Sequence, residues 1–468
     1  MAAEQTFDVA RFIDERKMNA FNARVVVFCF FIILMDGYDI GALAYAGPSL
    51  VKAWGLTSMK ALGTAFSAGL FGILFGSPLF GYLGDHFGRA KAIVISCLWI
   101  GAFTLATMFA RSLDELMVLR FLTGIGIGGM LPNTITLNAE FAPKRYRATM
   151  IIIMFTGITF GGAVPGPVAA WLVPHYGWQV LFLLGGVVPL AVGLAAAVCL
   201  PESIKYLALH GRGAAVAKTL RQMEPGLSLA ADARFALADE TGDRSLSPTK
   251  LFADGLHFIT PLLWVLFIVN LMSFYFVNSW LPTVLTAASI PVQDAAWATA
   301  LFQIGGTLGG LALSRPLDKL GFVPVSALFV LALLVAPFIG YAKAPEALLM
   351  AVVFVAGFAM LGVQFGLNAA SAMIYPTAIR SNGSGWAFGI GRFGSATGPL
   401  IAGVLIDFHL TIEHLFLVLA IPLAIGTIGS ILLSRLYRLR FAGLGLGQRD
   451  ALDAATAAAR RPGSAPAQ

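Results

Sequence analysis

Charged side chains are scarce in this chain. Asp, Glu, Lys and Arg make up 12% of its 468 residues, about half the share of an ordinary soluble domain. Too few remain to clothe a water-facing surface of this size, which argues against a soluble globular protein. Cysteine is scarcer still. Cys29, Cys97 and Cys199 are the only three, each inside an apolar stretch, which argues against a disulfide framework or a thiolate metal set. The six histidines, His86, His175, His210, His257, His409 and His414, fall in loops or at the ends of apolar runs. No Cys, His and carboxylate cluster has the spacing of a metal or catalytic centre, so no metal, organic cofactor or catalytic residue is expected. Residue-by-residue alternation of polar and apolar side chains is also missing, which argues against a β-barrel.

What the chain has instead is apolar length. It is 58% hydrophobic, with a mean hydropathy of +0.82. The apolar residues form runs at about 25–47, 62–84, 92–110, 116–138, 148–172, 179–200, 258–286, 295–314, 322–341, 348–373, 384–407 and 412–434. Each is near the ~20 residues a bilayer requires. The expected fold is therefore all-α and membrane-embedded, with twelve transmembrane helices in two six-helix bundles. Residues 1–24 form a tail, 25–200 the first bundle and 201–257 a charged central loop. Residues 258–434 form the second bundle and 435–468 a second tail.

Lys52, Lys60, Arg111 and Lys343 are the only basic residues in loops after odd-numbered runs. Nearly all the others lie on the opposite side with both tails, which the positive-inside rule places in the cytoplasm. The same bias accounts for the net charge of +7 without a nucleic-acid partner. Residues 1–24 are polar and mixed in charge, and no small-residue cleavage site follows the first run. That run is therefore expected to stay as a membrane helix.

Against this apolar background the exceptions stand out. Asp36 and Asp39 lie inside the first run, Phe28-Cys-Phe-Phe-Ile-Ile-Leu-Met-Asp36-Gly-Tyr-Asp39. A carboxylate at membrane depth costs roughly 2.5 kcal/mol or more and belongs by default to an ion or substrate path. Their spacing of three puts both on nearly one helical face. Arg392 lies well inside the eleventh run, too deep for its head group to reach water easily. A planar guanidinium there suits a carboxylate, either from a substrate or from an internal aspartate. Arg120, nearer one end of the fourth run, has snorkelling toward the interface as a competing reading. Asn133, Asn270, Gln364 and Asn368 are buried amides that need partners and could meet a ring hydroxyl. Tyr38 and Trp386 are candidates for stacking on a ring.

The two halves repeat. Pro143-Lys-Arg-Tyr-Arg147 matches Pro376-Thr-Ala-Ile-Arg380 233 residues on, and Asp85 with Gly88 matches Asp318 with Gly321 at the same offset. Gly162-Ala-Val-Pro-Gly166-Pro167 matches Gly394-Ser-Ala-Thr-Gly398-Pro399 at an offset of 232. Carried forward by 234, Asp36 falls on Asn270 and Asp39 on Ser273, while Gly161 lies near the counterpart of Arg392. Each half thus has its own private charges, and an asymmetric function is expected.

The loop Gly81-Tyr-Leu-Gly-Asp85-His-Phe-Gly88-Arg89-Ala-Lys91 resembles the loop signature of the major facilitator superfamily. In it Gly88 permits the turn and Asp85 can pair with a basic residue or helix terminus. His86 and Ala90 stand where basic residues are usual. Within that superfamily, Asp36-Gly-Tyr-Asp39, the segment from Arg120 to Pro132-Asn133, and Gly389-Ile-Gly-Arg392-Phe-Gly394 resemble the aromatic acid:proton symporters. The resemblance covers essentially the whole chain. It implies uptake of a small aromatic carboxylate across a bacterial inner membrane by a carrier that works as a monomer in the lipid bilayer. The coupling ion would be a proton carried at Asp36 or Asp39. Arg120 and Arg392 would be needed for uptake. Gating would involve Gly81, Asp85, Gly88, Arg89, Glu140, Arg147, Asp318 and Arg380. Drug or organic-anion export by proton antiport is an alternative on Gly162 to Pro167, and a transporter-like sensor is another. No soluble output domain supports an enzyme or a signalling module.

Overall fold

The computed structural model describes residues 6–56, 58–143, 145–227, 234–236, 251–252, 256–341, 345–375 and 379–440, without the side chains of 314–315, 318–319 and 380–381 among others. In chain order the elements are β1 (Thr6–Asp8), α1 (Val9–Asp14), α2 (Ala20–Trp54), α3 (Met59–Phe87), α4 (Arg89–Thr107), α5 (Leu113–Phe141), α6 (Arg147–Ala163), α7 (Pro165–Tyr176), α8 (Gln179–Cys199), α9 (Ile204–Leu209), α10 (Gly213–Met223) and β2 (Arg234–Ala236). There follow α11 (Ile259–Ala287), α12 (Val292–Leu320), α13 (Val323–Val335) with a 3₁₀ turn at Ala336–Gly340, α14 (Glu346–Ile374), α15 (Arg380–Asp407), α16 (Ile412–Val418) and α17 (Ala420–Arg440). Twelve spans among them are long and apolar enough to cross a bilayer, the number the apolar runs predict. The fifth span divides at Pro165, which has no amide hydrogen for the helix ladder.

The helices outreach the apolar runs because their ends need caps rather than hydrophobicity. The first run starts at Val25, yet α2 starts at Ala20, where Asn19 and Asn22 form reciprocal 3.2 Å hydrogen bonds in a capping box. The segment before it is structured rather than a plain tail. Strand β1 pairs in parallel with β2. Arg16 and Asn19 both donate to the Met223 carbonyl, at 2.6 and 2.8 Å. That carbonyl ends α10 and has no acceptor role left within the helix.

The chain forms two compact units. One holds Met1–Glu240 with Ser279–Ala300, and the other Thr241–Asn278 with Leu301–Gln468. In the first, α2 packs on α6, α3 on α5, and α4 on α5 and α8. In the second, α13 packs on α14 and α17, and α14 on α15.

The repeat seen in the sequence recurs as shared backbone contacts. A side chain on Gly72 would strike the Phe121 carbonyl, and one on Gly305 the Phe354 carbonyl. Gly76 stands against Ile125 as Gly309 does against Phe358. All four partners differ by 233. Helices this close tolerate no Cβ, so glycine is retained at equivalent sites.

One alignment needs correcting. Gly161 abuts the Leu34 carbonyl and Gly394 abuts that of Ile268, so Gly394 answers to Gly161 rather than Gly162. Gly398 packs on the Met272 carbonyl, whereas Gly166 packs on Ala296 and Ala300. The offset is 233 between α6 and α15 and 234 between α2 and α11. Arg392 therefore corresponds to Thr159, and Asp36 corresponds to Asn270, as the sequence predicts.

Candidate functional site

Helix α2 turns successive residues to different neighbours, as a period of 3.6 requires. Gly37 meets the backbone of α6 at Ile158. Tyr38 turns to α8, where its hydroxyl donates to the Leu181 carbonyl at 3.0 Å and its ring abuts Gly185. Asp39 turns to α4 and α5. Tyr38 is thus buried inside the first unit with its polar atom engaged, which removes the expected contact with a substrate ring.

Asp39 meets Arg120 of α5. The Arg120 Nη1 donates to both Asp39 oxygens, at 2.9 and 3.0 Å, and the Thr104 hydroxyl donates to one of them at 3.0 Å. The second terminal nitrogen, Nη2, donates to Thr107 and Thr123 at 2.9 and 3.1 Å and reaches Thr104 at 3.4 Å. Thr107 and Thr123 each give their own proton to a carbonyl one turn earlier, Phe103 at 2.8 Å and Leu119 at 2.9 Å. That back-bonding leaves hydroxyl lone pairs for the guanidinium. The Phe182 ring of α8 lies 5.1 Å from the Arg120 Cζ, in cation–π range. Arg120 is 2% exposed and Asp39 6%.

Snorkelling is therefore ruled out for Arg120: its side chain points into the bundle and compensates Asp39. Asp36, one turn earlier on α2, is also buried, at 3%. Thr104, Thr107, Thr123 and Phe182 escaped the sequence reading. The available signal was the three-residue spacing of Thr104 from Thr107 and of Arg120 from Thr123, which puts each pair on one helical face.

Asn133 has a different use from the expected one. Its Nδ2 donates to the Phe80 and Gly129 carbonyls at 3.0 and 2.9 Å, and its side chain fills the space where Gly84 has no Cβ. It ties α5 to α3, with neither amide hydrogen left for a ligand.

In the second unit Arg392 stands about 18 Å and 22 Å from the two ends of α15, at 1.5 Å per residue. It is partly buried, and among the described residues its guanidinium has no ion-pair or hydrogen-bond partner. Gly391 packs on Phe267 and Leu271 of α11, so Arg392 lies at the depth of Asn270. Asn270 donates to Gln364 at 2.9 Å and to the Met360 carbonyl at 3.3 Å, and Gln364 donates to Asn368 at 2.9 Å. Three of the predicted amides thus join in one chain. Trp386 stacks on Trp264 with ring centroids 6.1 Å apart and is 37% exposed.

The loop residues gather at the start of α4. Gly88 has φ of +109°, in the region that favours glycine, and a Cβ there would collide with the Glu202 carboxylate. Arg89 pairs with Glu140 at 3.0 Å and with Asp85 at 3.3 Å, so Asp85 has a partner within its own unit. A Cβ on Gly81 would meet no heavy atom within 4 Å among the described residues. Arg147 pairs with Asp14 at 2.8 Å. The side chains of Asp318 and Arg380, and residues 376–378 of the second motif, lie outside the described residues.

Glu202, unnoticed in the sequence, completes the cluster. It accepts from the backbone amides of Ala90 and Lys91, at 2.9 and 3.4 Å, and of Ser203 at 2.9 Å, while Ser203 donates to Glu140 at 2.5 Å. A carboxylate on the unpaired amides of a helix start is stabilising. Replacing Glu202 by alanine should cost about 1 kcal/mol, read as a lower midpoint of thermal unfolding. An unchanged midpoint would show that the cap contributes nothing.

The model of the family described as Major Facilitator Superfamily matches residues 29–288 and 263–462. The chain belongs to the major facilitator superfamily. This is a family of transporters rather than enzymes. The chain is 38% identical to a gallate transporter of Pseudomonas putida, over 89% of this chain and 92% of that one. It is 34% identical to the 4-hydroxybenzoate transporter PcaK of Pseudomonas putida, over 91% and 96%. It is 31% identical to the benzoate transport protein of Acinetobacter baylyi, over 92% and 94%. Among solved structures, a bacterial homolog of the human lysosomal transporter Spinster matches with a TM-score of 0.70 at 15% identity, over 91% of this chain and 99% of that one. The xylose transporter XylE of Escherichia coli matches at 0.66 and 18%, over 89% and 98%. At those identities the likeness is one of fold.

Proposed function

We propose that this protein is a symporter that imports an aromatic carboxylate together with protons across the bacterial inner membrane, by alternating access and with both termini in the cytoplasm. Aromatic acid transport is the shared activity of the named relatives at 31–38% identity. The observation that carries the reading to this chain is Arg392, a cation deep in a membrane span with no internal counter-ion among the described residues. A lone guanidinium at that depth is costly unless an anion completes it. A planar carboxylate is the anion its fork fits best.

The proton belongs to the acids of α2. Asp39 already neutralises Arg120, so a proton arriving there releases the guanidinium. Asp36, a turn away and equally buried, is the companion acid. Movement toward an alkaline cytoplasm then favours proton release and with it release of the substrate.

Purified protein in liposomes with an alkaline lumen, tested with labelled 4-hydroxybenzoate, 3,4-dihydroxybenzoate and benzoate, should accumulate at least one acid beyond the level that protein-free liposomes reach by passive trapping of the undissociated acid. An uncoupler should abolish the excess. Accumulation that ignores the pH gradient would refute proton coupling, and outward pumping would favour the export alternative.

A further inference from the structure

Asn270, Gln364 and Asn368 form a chain of amides with a direction. The Met360 carbonyl can only accept, so it fixes the Asn270 nitrogen toward itself. That nitrogen also serves Gln364, whose own nitrogen serves Asn368. The Asn270 Oδ1 is left buried with no hydrogen-bond donor among the described residues, in a side chain that is 0% exposed. A fully buried acceptor without a donor is unfavourable in the protein alone. It persists most readily where a ligand supplies the missing proton.

Three further features point the same way. The chain lies at the depth of Arg392, as the packing of Gly391 on Phe267 and Leu271 shows. Asn270 occupies the repeat position that carries Asp36 in the first half, so a neutral amide stands where the other half has an ionisable acid. At the counterparts of Gln364 and Asn368, 233 residues earlier, α5 has Leu131 and Ile135, so the amide chain is private to the second unit.

We infer that the Asn270–Gln364–Asn368 chain reads a hydroxyl on the substrate ring while Arg392 holds the carboxylate, making the protein selective for hydroxylated aromatic acids over bare benzoate. The ring O–H donates to the Asn270 Oδ1, and Gln364 and Asn368 hold that amide in the accepting orientation. This rests on the proposed aromatic acid transport. A site built around a hydrogen bond rejects analogues that leave its polar group unpaired.

The test is the ratio of KM values in liposomes for benzoate against 3,4-dihydroxybenzoate and 4-hydroxybenzoate, with 4-methoxybenzoate as an analogue that lacks the donor. The wild type should prefer at least one hydroxylated acid by about 10- to 100-fold, and 4-methoxybenzoate should behave like benzoate. In Asn270→Leu, and in Asn368→Ala at the partly exposed end of the chain, the ratio should fall toward one. A ratio of KM values does not depend on how much of a variant folds. A wild-type ratio near one, or variants that keep the wild-type ratio, would overturn the inference and leave aromatic acid transport standing. Absence of saturable uptake of any of the four acids would instead remove the underlying function, and the inference with it.

Discussion

Replacing Arg120 by leucine is expected to abolish uptake and to destabilise the protein by about 3–5 kcal/mol, the usual cost of leaving one member of a buried ion pair without the other. The stranded group would be Asp39, whose two oxygens lose both bonds from Nη1 and, among the described residues, keep only the Thr104 hydroxyl. Thr107 and Thr123 would lose the only donor to their lone pairs among the described residues. A loss of that size is a large part of the net stability of a folded domain. The double variant Asp39→Asn, Arg120→Gln separates structure from coupling. A neutral amide pair can hydrogen-bond within the same threonine collar, so the midpoint of thermal unfolding in detergent should recover most of the way. Accumulation against a gradient should not recover, because the carboxylate that exchanges the proton is gone. A wild-type midpoint for Arg120→Leu would show that the pair contributes nothing to the fold. Full accumulation by the double variant would remove Asp39 from the proton cycle.

Arg392 should give the opposite signature. It has no internal partner among the described residues, so its removal leaves no stranded acid. Arg392→Gln should leave the unfolding midpoint close to that of the wild type and raise KM by about 10- to 100-fold. That range corresponds to a charged hydrogen bond of about 1.5–3 kcal/mol, at 1.4 kcal/mol for each factor of ten. Arg392→Lys keeps the charge but loses the planar fork, and its KM should fall between those of the wild type and the glutamine variant. An unchanged KM in Arg392→Gln would exclude it from the binding site. A large fall in midpoint would mean that it supports the fold instead.

The contrast between these arginines follows from duplication with divergence. The glycine contacts between α3 and α5 recur between α12 and α14, with partners shifted by one constant number. The chemistry laid on that frame does not recur. Asp39 and Arg120 have Ser273 and Val353 as counterparts, both 0% exposed, so this ion pair is not repeated at the equivalent positions of the second unit. Arg392 has Thr159, buried at 2%. Backbone packing resists change because a Cβ at those glycines would collide with a carbonyl. Polar side chains one turn away can be exchanged as long as buried hydrogen bonds remain matched.

From the amino-acid sequence alone follow the number of membrane spans, the duplication and the residues that do not belong in hydrocarbon. Bilayer thickness imposes a run length, and every buried charge departs visibly from an apolar background. The partners of those charges were decided by tertiary structure. Nothing in the spacing of Arg120 tells that it turns inward to Asp39 rather than outward to the interface, because that depends on which face of α5 meets α2 and α4. The same holds for Asn133, engaged beneath Gly84, for Tyr38, engaged with the Leu181 carbonyl, and for Glu202, brought to the start of α4 from 112 residues away. Helical periodicity places a side chain on a face, and only the packing of neighbouring helices determines what that face meets.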